Sequence, residues 1–407
     1  MAGPLSSTQS VNDIKRQLEA EWIRFLGINS AKLHSTSLEG SSPPLVFVGR
    51  YGYPNVKVGP LLPPVHGDTS VFDKPEMWLG KGLEEILRYR LALVRGTITM
   101  KVDEKSRQLE SLQDMTMSTR PAEGQAIFEK SPAAEIQALR KAELDSEVTP
   151  FGLSAPLKSF TFNTLAASDR RIENAYYDTD LTAAKAMVAL YQQGVEVSRI
   201  SKLLSIGMLG IKKDRKIVPT RWSISATDST ISAWLVREIN NNQSIDSFEV
   251  SQFSHLGNYY SLVLIPDDIW SFEMLEIWID KNGRTAIASE YEGPEGLNHP
   301  PSIAGAYFAA RLAVVEHLVS RGRKASVLVI REIRPEYALP VGVWQIREGA
   351  REALRRQKRL FEDLGNALSF ACLNMSVSKA EIISKIKAFS VKAKQAKITD
   401  FVNYSAD

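Results

Sequence analysis

Cysteine is almost absent from this sequence, since Cys372 is the one cysteine among 407 residues. A single thiol excludes an internal disulfide and a zinc site built from cysteines. Long apolar runs are missing as well, because no stretch approaches the roughly 20 apolar residues that a membrane-spanning helix needs. The first residues also lack the basic and then apolar pattern of a secretory signal. We therefore expect an intracellular, cytoplasmic protein with no membrane partner.

Several widespread catalytic and nucleotide-binding motifs are missing too. The sequence contains no G-x-G-x-x-G, no G-x-x-x-x-G-K-[ST], no H-E-x-x-H and no G-x-S-x-G. Its five histidines are scattered without the spacing of metal ligands. Nucleotide-driven motors and the commonest hydrolases therefore receive no support from the sequence.

The charge is balanced except near the C-terminus. The net charge is +3, from 50 basic and 47 acidic side chains. Residues 376–407 hold six of the lysines and three of the acidic residues, and subtracting these from the totals leaves 44 of each sign. Nucleic-acid binding would therefore depend on local basic patches and not on a global field.

The apolar pattern predicts an α+β fold. Helical spacing dominates the N-terminal half, and strand-like segments follow it. We expect a helical N-terminal half, a mixed, largely antiparallel sheet with flanking helices, and a flexible C-terminal tail. A helix is predicted over Ala304–Leu318 and a long one over Gly342–Ala371. The predicted strands of the second half are Phe248–Phe253, Tyr259–Ile265, Leu275–Ile279, Thr285–Ala288 and Ala325–Ile330.

Two helical patterns flank Gly194 within Asp180–Gly210. The glycine at the turn, with Ile200 and Leu203 six and nine residues after it, is similar to a DNA-reading helix-turn-helix. Plain packing of two helices would produce the same pattern. Both alternatives stay open at this point.

Three basic and aromatic segments are candidates for DNA contact. In each, arginine or lysine could hold phosphates, and in two of them an aromatic ring could stack on an unpaired base. A solvated charged face or a turn that packs its own core would look the same. The candidates are Arg50, Tyr51 and Tyr53; Lys212, Lys213, Arg215, Lys216, Arg221 and Trp222; and the four-residue repeat Arg347, Arg351, Arg355 and Arg359, which would form one ridge of the predicted long helix.

Carboxylate side chains are the candidates for a catalytic site in this sequence. A phosphodiester-cleaving site with Mg²⁺ or Mn²⁺ needs two to four carboxylates around the metal ions. Our candidates are Asp228, Glu276 and Glu332, with Glu273, Asp280 and Glu348 nearby in the sequence. On a strand, Glu276 and Asp280 would share an exposed face, where carboxylates are usually just solvated. A metal-free nuclease is a further alternative, built from Tyr307, Arg311, Arg331 and Glu332.

The segment Gln395–Val402 resembles the peptide that docks onto the sliding DNA clamp (PCNA). Gln395, Ile398 and Phe401 form a Q-x-x-I-x-x-F pattern. One helical turn would bring Ile398 and Phe401 to the same side, where both could enter an apolar pocket. Val402 stands where that motif usually carries a second aromatic residue.

Further motifs, spread over nearly the whole chain, resemble those of the archaeal Nre family of DNA repair proteins. The resemblance implies a role in DNA damage repair together with the sliding clamp, and it implies no particular reaction. Some members begin with a cysteine-rich zinc-binding segment, which this sequence does not have. The motifs are Val46–Pro54, Val58–Pro60, Phe151-Gly152, Ser154–Pro156, Leu204–Gly207, Val218–Ile224, Tyr307–Arg311, Arg331–Tyr337 and Gly342–Glu348.

The sequence as a whole therefore predicts a DNA repair factor that binds DNA, is recruited by the clamp and is associated with the nucleoid. A nuclease or another DNA-end-processing enzyme recruited by the clamp is the alternative, and an adaptor that touches no DNA is a third hypothesis. The expected regions are an N-terminal region 1–283, a C-terminal region 284–372, a basic flexible arm 373–394 and the clamp-binding peptide 395–402.

Overall fold

A computed structural model describes residues 31–135, 152–164, 167–337 and 340–387. These residues fall into two compact units. The first unit comprises the described residues up to 231 together with 340–345, and the second comprises 232–337 and 346–387. Within these ranges, no helix has both the length and the apolar character needed to cross a membrane. The regions predicted from the sequence are consecutive stretches of chain with a boundary after residue 283. The two compact units are instead defined by packing, so the predicted regions stay a prediction.

The first unit contains a six-stranded mixed sheet. Its strand order is β1-β5-β6-β4-β3-β2, and the pair β4 and β6 is parallel whereas the other neighbours are antiparallel. A core of leucine, valine, alanine and phenylalanine packs on it. The strands are β1 (Ser37–Ser42), β2 (Val46–Val48), β3 (Asn55–Leu62), β4 (Val94–Lys101), β5 (Ala122–Phe128) and β6 (Ser154–Thr164).

Helices lie between and after these strands along the chain. α6 contributes its residues up to 231 to the first unit. Short 3₁₀ helices occur at Ser70–Asp73, Pro75–Met77, Pro132–Glu135 and Lys212–Asp214. The α-helices are α1 (Leu83–Leu91), α2 (Arg107–Met117), α3 (Arg170–Tyr177), α4 (Ala183–Gln192), α5 (Val197–Ser205) and α6 (Thr220–Ile239).

The second unit contains another six-stranded mixed sheet, ordered β11-β10-β13-β9-β8-β14. Here β10 and β13 are the parallel pair. A small parallel ladder joins β7 and β12. The strands are β7 (Gln243–Ser244), β8 (Phe248–His255), β9 (Asn258–Ile265), β10 (Ser271–Ile279), β11 (Thr285–Glu292), β12 (Arg323–Lys324), β13 (Ser326–Ile333) and β14 (Arg359–Phe361). The helices are α7 (Gly305–Arg321), α8 (Trp344–Arg355, which belongs to this unit from residue 346), α9 (Leu364–Ala371) and α10 (Lys379–Lys385).

Both faces of the second sheet are covered. On one face, Leu275 and Ile277 of β10 pack with Ala367 and Leu368 of α9 and with Ile382 of α10. Successive side chains of a strand point to opposite faces, so the neighbours of these residues in β10 face the other way. On that other side α7 covers the sheet, where the rings of Phe272 and Tyr307 meet edge to face at 5.1 Å. Polar side chains of β10 are therefore buried whichever way they point.

The predicted fold class is confirmed, and so are the five strands predicted in the second half, because β8, β9, β10, β11 and β13 overlap them. The long helix predicted over Gly342–Ala371 is wrong. α8 ends at Arg355, β14 pairs with β8, and α9 starts afresh after Asp363, whose side chain accepts the Asn366 N–H at 2.8 Å. A capping carboxylate of this kind starts a helix.

Candidate nucleic-acid interface

An aromatic and cationic surface lies at the β2–β3 turn of the first unit. The turn is tied to α6, because the Val48 N–H donates to the Thr220 hydroxyl at 2.9 Å. Its geometry requires Gly52, which has a φ of +83° and would carry a Cβ only 2.7 Å from the Asn55 carbonyl oxygen. These contacts present the turn beside the first residues of α6.

At this place Tyr53 meets Trp222. The two ring centroids are 5.4 Å apart, and the ring planes make an angle of 51°. Tyr51 lies next to them in the turn, and the Arg50 guanidinium stacks over the Tyr51 ring at 4.9 Å and donates to its hydroxyl at 3.0 Å. The exposed fractions are 63% for Tyr51, 52% for Tyr53 and 46% for Trp222. We call Arg50, Tyr51, Tyr53 and Trp222 the aromatic surface.

The basic segment before Trp222 divides into exposed and structural residues. Lys212, Lys213 and Lys216 are exposed, and Arg221 is half-buried. Arg215 differs, because its guanidinium donates to the carbonyl oxygens of Gly210 and Asp178 at 2.7 and 2.8 Å. It also lies over the Tyr176 ring, and burial lowers its pKa. Arg215 thus holds the segment in place, and its contact with phosphate stays a prediction.

The predicted arginine ridge does not form. Arg347 is 3% exposed and lies 3.8 Å from the Glu348 carboxylate. Arg351 forms a bidentate ion pair with Glu316 at 2.7 and 2.8 Å, and it also donates to Glu348 at 2.7 Å. Arg355 is exposed at the end of α8, and Arg359 lies on β14. The expectation that Arg347 and Arg351 track a phosphate backbone is therefore wrong, because Arg347 is buried and Arg351 is already paired with carboxylates.

The helix pair around Gly194 packs as a structural element. α5, which would be the DNA-reading helix, buries most of its side chains. Arg199 donates to the carbonyl oxygens of Thr116 and Ser118 at 2.9 and 2.6 Å. The Lys202 ammonium pairs with the buried Asp73 carboxylate. These contacts favour plain helical packing over the helix-turn-helix alternative.

The three candidate catalytic carboxylates are all buried. Asp228 lies on α6 in the first unit, and Glu276 and Glu332 lie on the adjacent strands β10 and β13 of the second. In the ladder, Glu332 is opposite Ile277, so it points away from Glu276. The Glu332 carboxylate accepts from Arg334 at 2.7 Å and from the Ser376 N–H at 2.8 Å.

No cluster of three or more His, Cys, Asp or Glu side chains that could hold a metal ion occurs in the described parts of the chain. Glu273 and Asp280 also make local contacts, since Glu273 accepts the Lys387 N–H at 2.7 Å and Asp280 accepts the Arg284 N–H at 2.7 Å. The expectation that Glu276 and Asp280 lie on an exposed face is wrong, because both are buried.

A buried ion pair occupies the face of the second sheet that α7 covers. Arg331 pairs with Glu276 and also donates to Asn258 Oδ1 at 3.0 and 2.6 Å. Burial raises the pKa of the Glu276 carboxyl, against the opposing charge of Arg331. Burial alone would lower the pKa of Arg331, but Tyr260 and Glu276 outweigh it and the net shift is upward.

A second buried group lies on the same face. Arg311 donates to Glu292 at 2.6 Å and to the Ser232 hydroxyl at 2.8 Å, and the Trp270 indole N–H donates to Glu292 at 3.0 Å. Tyr307 is fully buried, and burial raises its pKa strongly. The residues of the metal-free nuclease alternative are thus divided: Tyr307, Arg311 and Arg331 share this face, whereas Glu332 lies on the other.

The clamp-like peptide, Gln395, Ile398, Phe401 and Val402, lies outside the described residues. The predicted flexible tail lies outside them as well, apart from residues up to 387. The proposed docking of this peptide therefore rests on its sequence.

Comparison with known proteins identifies the family. A model described as "Archaeal Nre, N-terminal" matches residues 21–282, and one described as "Archaeal Nre, C-terminal" matches residues 292–401. "DNA repair protein NreB" of Archaeoglobus fulgidus is 37% identical over 85% of this chain and 87% of its own.

Two proteins named "DNA repair protein NreA" are also similar. The one from Archaeoglobus fulgidus is 36% identical over 86% of this chain and 88% of its own. The one from Haloferax volcanii is 33% identical over 90% and 89%. No solved structure matches this chain. With both family models matched and this identity over most of its length, the chain belongs to the archaeal Nre family.

Proposed function

We propose that this protein is a DNA repair factor that contacts DNA through the aromatic surface and is recruited to the sliding clamp through Gln395, Ile398, Phe401 and Val402. The similar proteins named as DNA repair proteins support the repair role. The observation that carries the DNA contact is the meeting of Tyr53 and Trp222, two half-exposed rings from separate segments of the chain.

Physical chemistry explains why this surface suits an unpaired base. Each ring leaves about half of its area to solvent, and tyrosine and tryptophan combine an apolar face with a polar edge. Stacking of a base on such a ring is tolerant of sequence, because every base has a π face. Arg50 supplies a cation in the same turn, and Lys212, Lys213 and Lys216 supply exposed cations in the preceding segment. Phosphates flanking a stacked base would meet these charges.

Recruitment by the clamp would make weak DNA contacts effective. A tethered module meets its target at an effective concentration that reaches the millimolar range for short flexible linkers. The clamp encircles DNA, so a chain held by its terminal peptide would encounter the same DNA repeatedly. Specificity for a lesion would then come from the unpaired bases that the lesion exposes. Modest intrinsic affinity of the aromatic surface is sufficient for this role.

Replacing Trp222 with alanine tests the DNA contact. Loss of one stacked base costs about 1–3 kcal/mol, so we expect binding of single-stranded DNA to weaken about tenfold. Duplex DNA, whose bases are already stacked, should respond much less. Fluorescence anisotropy of labelled oligonucleotides measures both affinities.

Two further variants make this test specific. Trp222→Phe keeps an aromatic face and should retain most of the affinity. Tyr177→Ala removes another exposed tyrosine of the same unit, outside the aromatic surface, and should leave the affinity unchanged. Equal binding by the wild type and Trp222→Ala would refute the assignment of this surface.

A further inference from the structure

An open groove with a volume of about 570 Å³ lies in the second unit, beside the edge strand β14. Its walls come from four elements that the sequence separates. Val250 and Gln252 belong to β8, Glu352 and Arg356 to the end of α8 and the residue after it, and Phe370 to α9. Arg359 of β14 completes it, opposite Val250 in the β8–β14 ladder.

The floor of the groove is held by its own hydrogen bonds. The Gln252 amide donates to the carbonyl oxygens of Phe370 and Ala371, both at 3.2 Å, and its oxygen accepts from Asn374 at 3.1 Å. Both the amide nitrogen and the amide oxygen of Gln252 are therefore already hydrogen-bonded. The side-chain donors that remain for a ligand belong to Arg356, Gln357 and Arg359.

Arg356 and Arg359 each lie over an aromatic ring. The Arg356 guanidinium is 4.6 Å from the centre of the Phe253 ring, and the Arg359 guanidinium is 5.2 Å from that of Phe370. Stacking on a ring orients the planar guanidinium and leaves its edge N–H groups for an acceptor. Two oriented cations at one groove are suited to the oxygens of a phosphodiester.

Positive charge exceeds negative charge at this place. Glu352 is shared, since Arg356 Nε lies 3.2 Å and Arg355 Nη1 lies 3.8 Å from its carboxylate oxygens. For Arg359, no carboxylate lies within 4.0 Å among the residues that the structure describes. Lys358, between them in the sequence, pairs with Glu249 at 2.8 Å and does not line the groove.

We propose that this groove binds the backbone of single-stranded DNA, with phosphates at Arg356 and Arg359. A groove of this volume has room for one nucleotide. A positively charged groove that follows the backbone is a usual way for proteins to bind single-stranded DNA without reading its sequence. This inference rests on the proposed function, to which it adds a second contact in the other compact unit.

The test compares two variants of the full chain that each remove two positive charges from residues 355–359. Arg356→Gln with Arg359→Gln empties the groove of its cations. Arg355→Gln with Lys358→Gln is the matched control, because neither residue lines the groove. The probe is a fluorescein-labelled 12-nucleotide oligodeoxythymidylate, and anisotropy is recorded at several salt concentrations.

The expected result follows from counterion release. Each phosphate contact on a single strand contributes about 0.7 to the slope of log affinity against log salt. Loss of two contacts should lower the affinity about 25-fold at 0.1 M salt and flatten the slope by about 1.4. The control should keep the wild-type slope. Equal losses in both variants would overturn the proposal, as would equally effective competition by a poly-glutamate of the same charge.

Glu352→Gln supplies a test in the opposite direction. It removes the negative charge of the groove lining, so binding should become tighter, by up to about fivefold at 0.1 M salt if that charge counts as much as one phosphate contact. Unchanged or weaker binding would count against the groove. If Trp222→Ala weakens binding but the groove variants do not, the groove inference alone fails. If wild-type protein binds no DNA, the proposed function fails and the groove inference with it.

Discussion

Arg331→Met is expected to lower the free energy of unfolding by about 3–5 kcal/mol, the usual cost of removing one partner from a buried ion pair. Arg331 is 5% exposed and Glu276 is 3% exposed. Without the guanidinium, Glu276 would keep its carboxylate in the interior and Asn258 Oδ1 would lose two donors. Urea unfolding followed by circular dichroism measures the change.

The pH dependence of this variant identifies the cause of the loss. Burial raises the pKa of Glu276 already in the wild type, and loss of Arg331 removes the charge that opposes this shift. A carboxyl with a raised pKa in the folded state binds its proton more tightly there than in the unfolded state. The stability that the variant loses relative to the wild type should therefore be smallest at acidic pH, and it should grow as the pH rises from below the ordinary glutamate value to neutrality.

Two controls separate the ion pair from a general packing defect. Glu276→Leu combined with Arg331→Met removes both charges and should recover most of the stability, because apolar residues often replace a buried pair at little cost. Arg323→Met breaks an ion pair whose Asp246 partner is largely exposed, and it should cost less than about 1 kcal/mol. A loss for Arg331→Met as small as that for Arg323→Met would refute the structural role of the Glu276–Arg331 pair.

The strands of the second sheet could be predicted because β-branched and aromatic residues are dense in them, as in Ser326–Ile333. In the first unit, β5 was not predicted. Its buried positions alternate as Ala122, Gly124, Ala126 and Phe128, so a period of two is present but three of its four members are small. Gly124 has to be small, because a Cβ there would lie 2.8 Å from the Phe162 ring.

The predictions of the long helix and of its arginine ridge were wrong for a related reason. A repeat of arginines every four residues fits a helical face, but it does not report where the helix ends. Pairing of β14 with β8 at Arg359 and Phe361 is a tertiary contact across more than 100 residues of sequence. The local signal that was available is Asp363, an N-cap for a new helix. Arg356, beside the groove, was overlooked because it does not belong to the four-residue repeat.

The roles of charged side chains depended on which sheet faces are covered. An antiparallel sheet often has one wet face, and on that assumption Glu276 was expected in solvent. α7 covers the second face, and Glu276 finds Arg331 there. The aromatic surface shows the same limit. Candidate residues were identified in both of its segments, but the contact between the β2–β3 turn and α6 arises only from the tertiary fold.

Phe401→Ala is expected to weaken binding to the sliding clamp at least about 30-fold, since truncation of an aromatic anchor at the centre of an interface commonly costs 2 kcal/mol or more. In the resemblance to clamp-binding peptides, Phe401 and Ile398 enter one apolar pocket and Gln395 bonds at its rim. Titration calorimetry with the purified clamp measures the affinity without DNA. Binding of DNA by the isolated protein should be unchanged, because the proposed DNA contacts are elsewhere.

Variants within the same eight residues make this prediction discriminating. Thr399→Ala changes a position between the anchors and should leave clamp binding nearly unchanged. Val402→Phe restores the second aromatic residue usual in such peptides, so it should strengthen binding, by about 1 kcal/mol or more if the added ring is buried. Clamp binding that survives Phe401→Ala would refute the docking role of this peptide. If docking holds, DNA encircled by the clamp should retain the wild-type chain far better than the Phe401→Ala variant, since the tether raises the local concentration at the DNA.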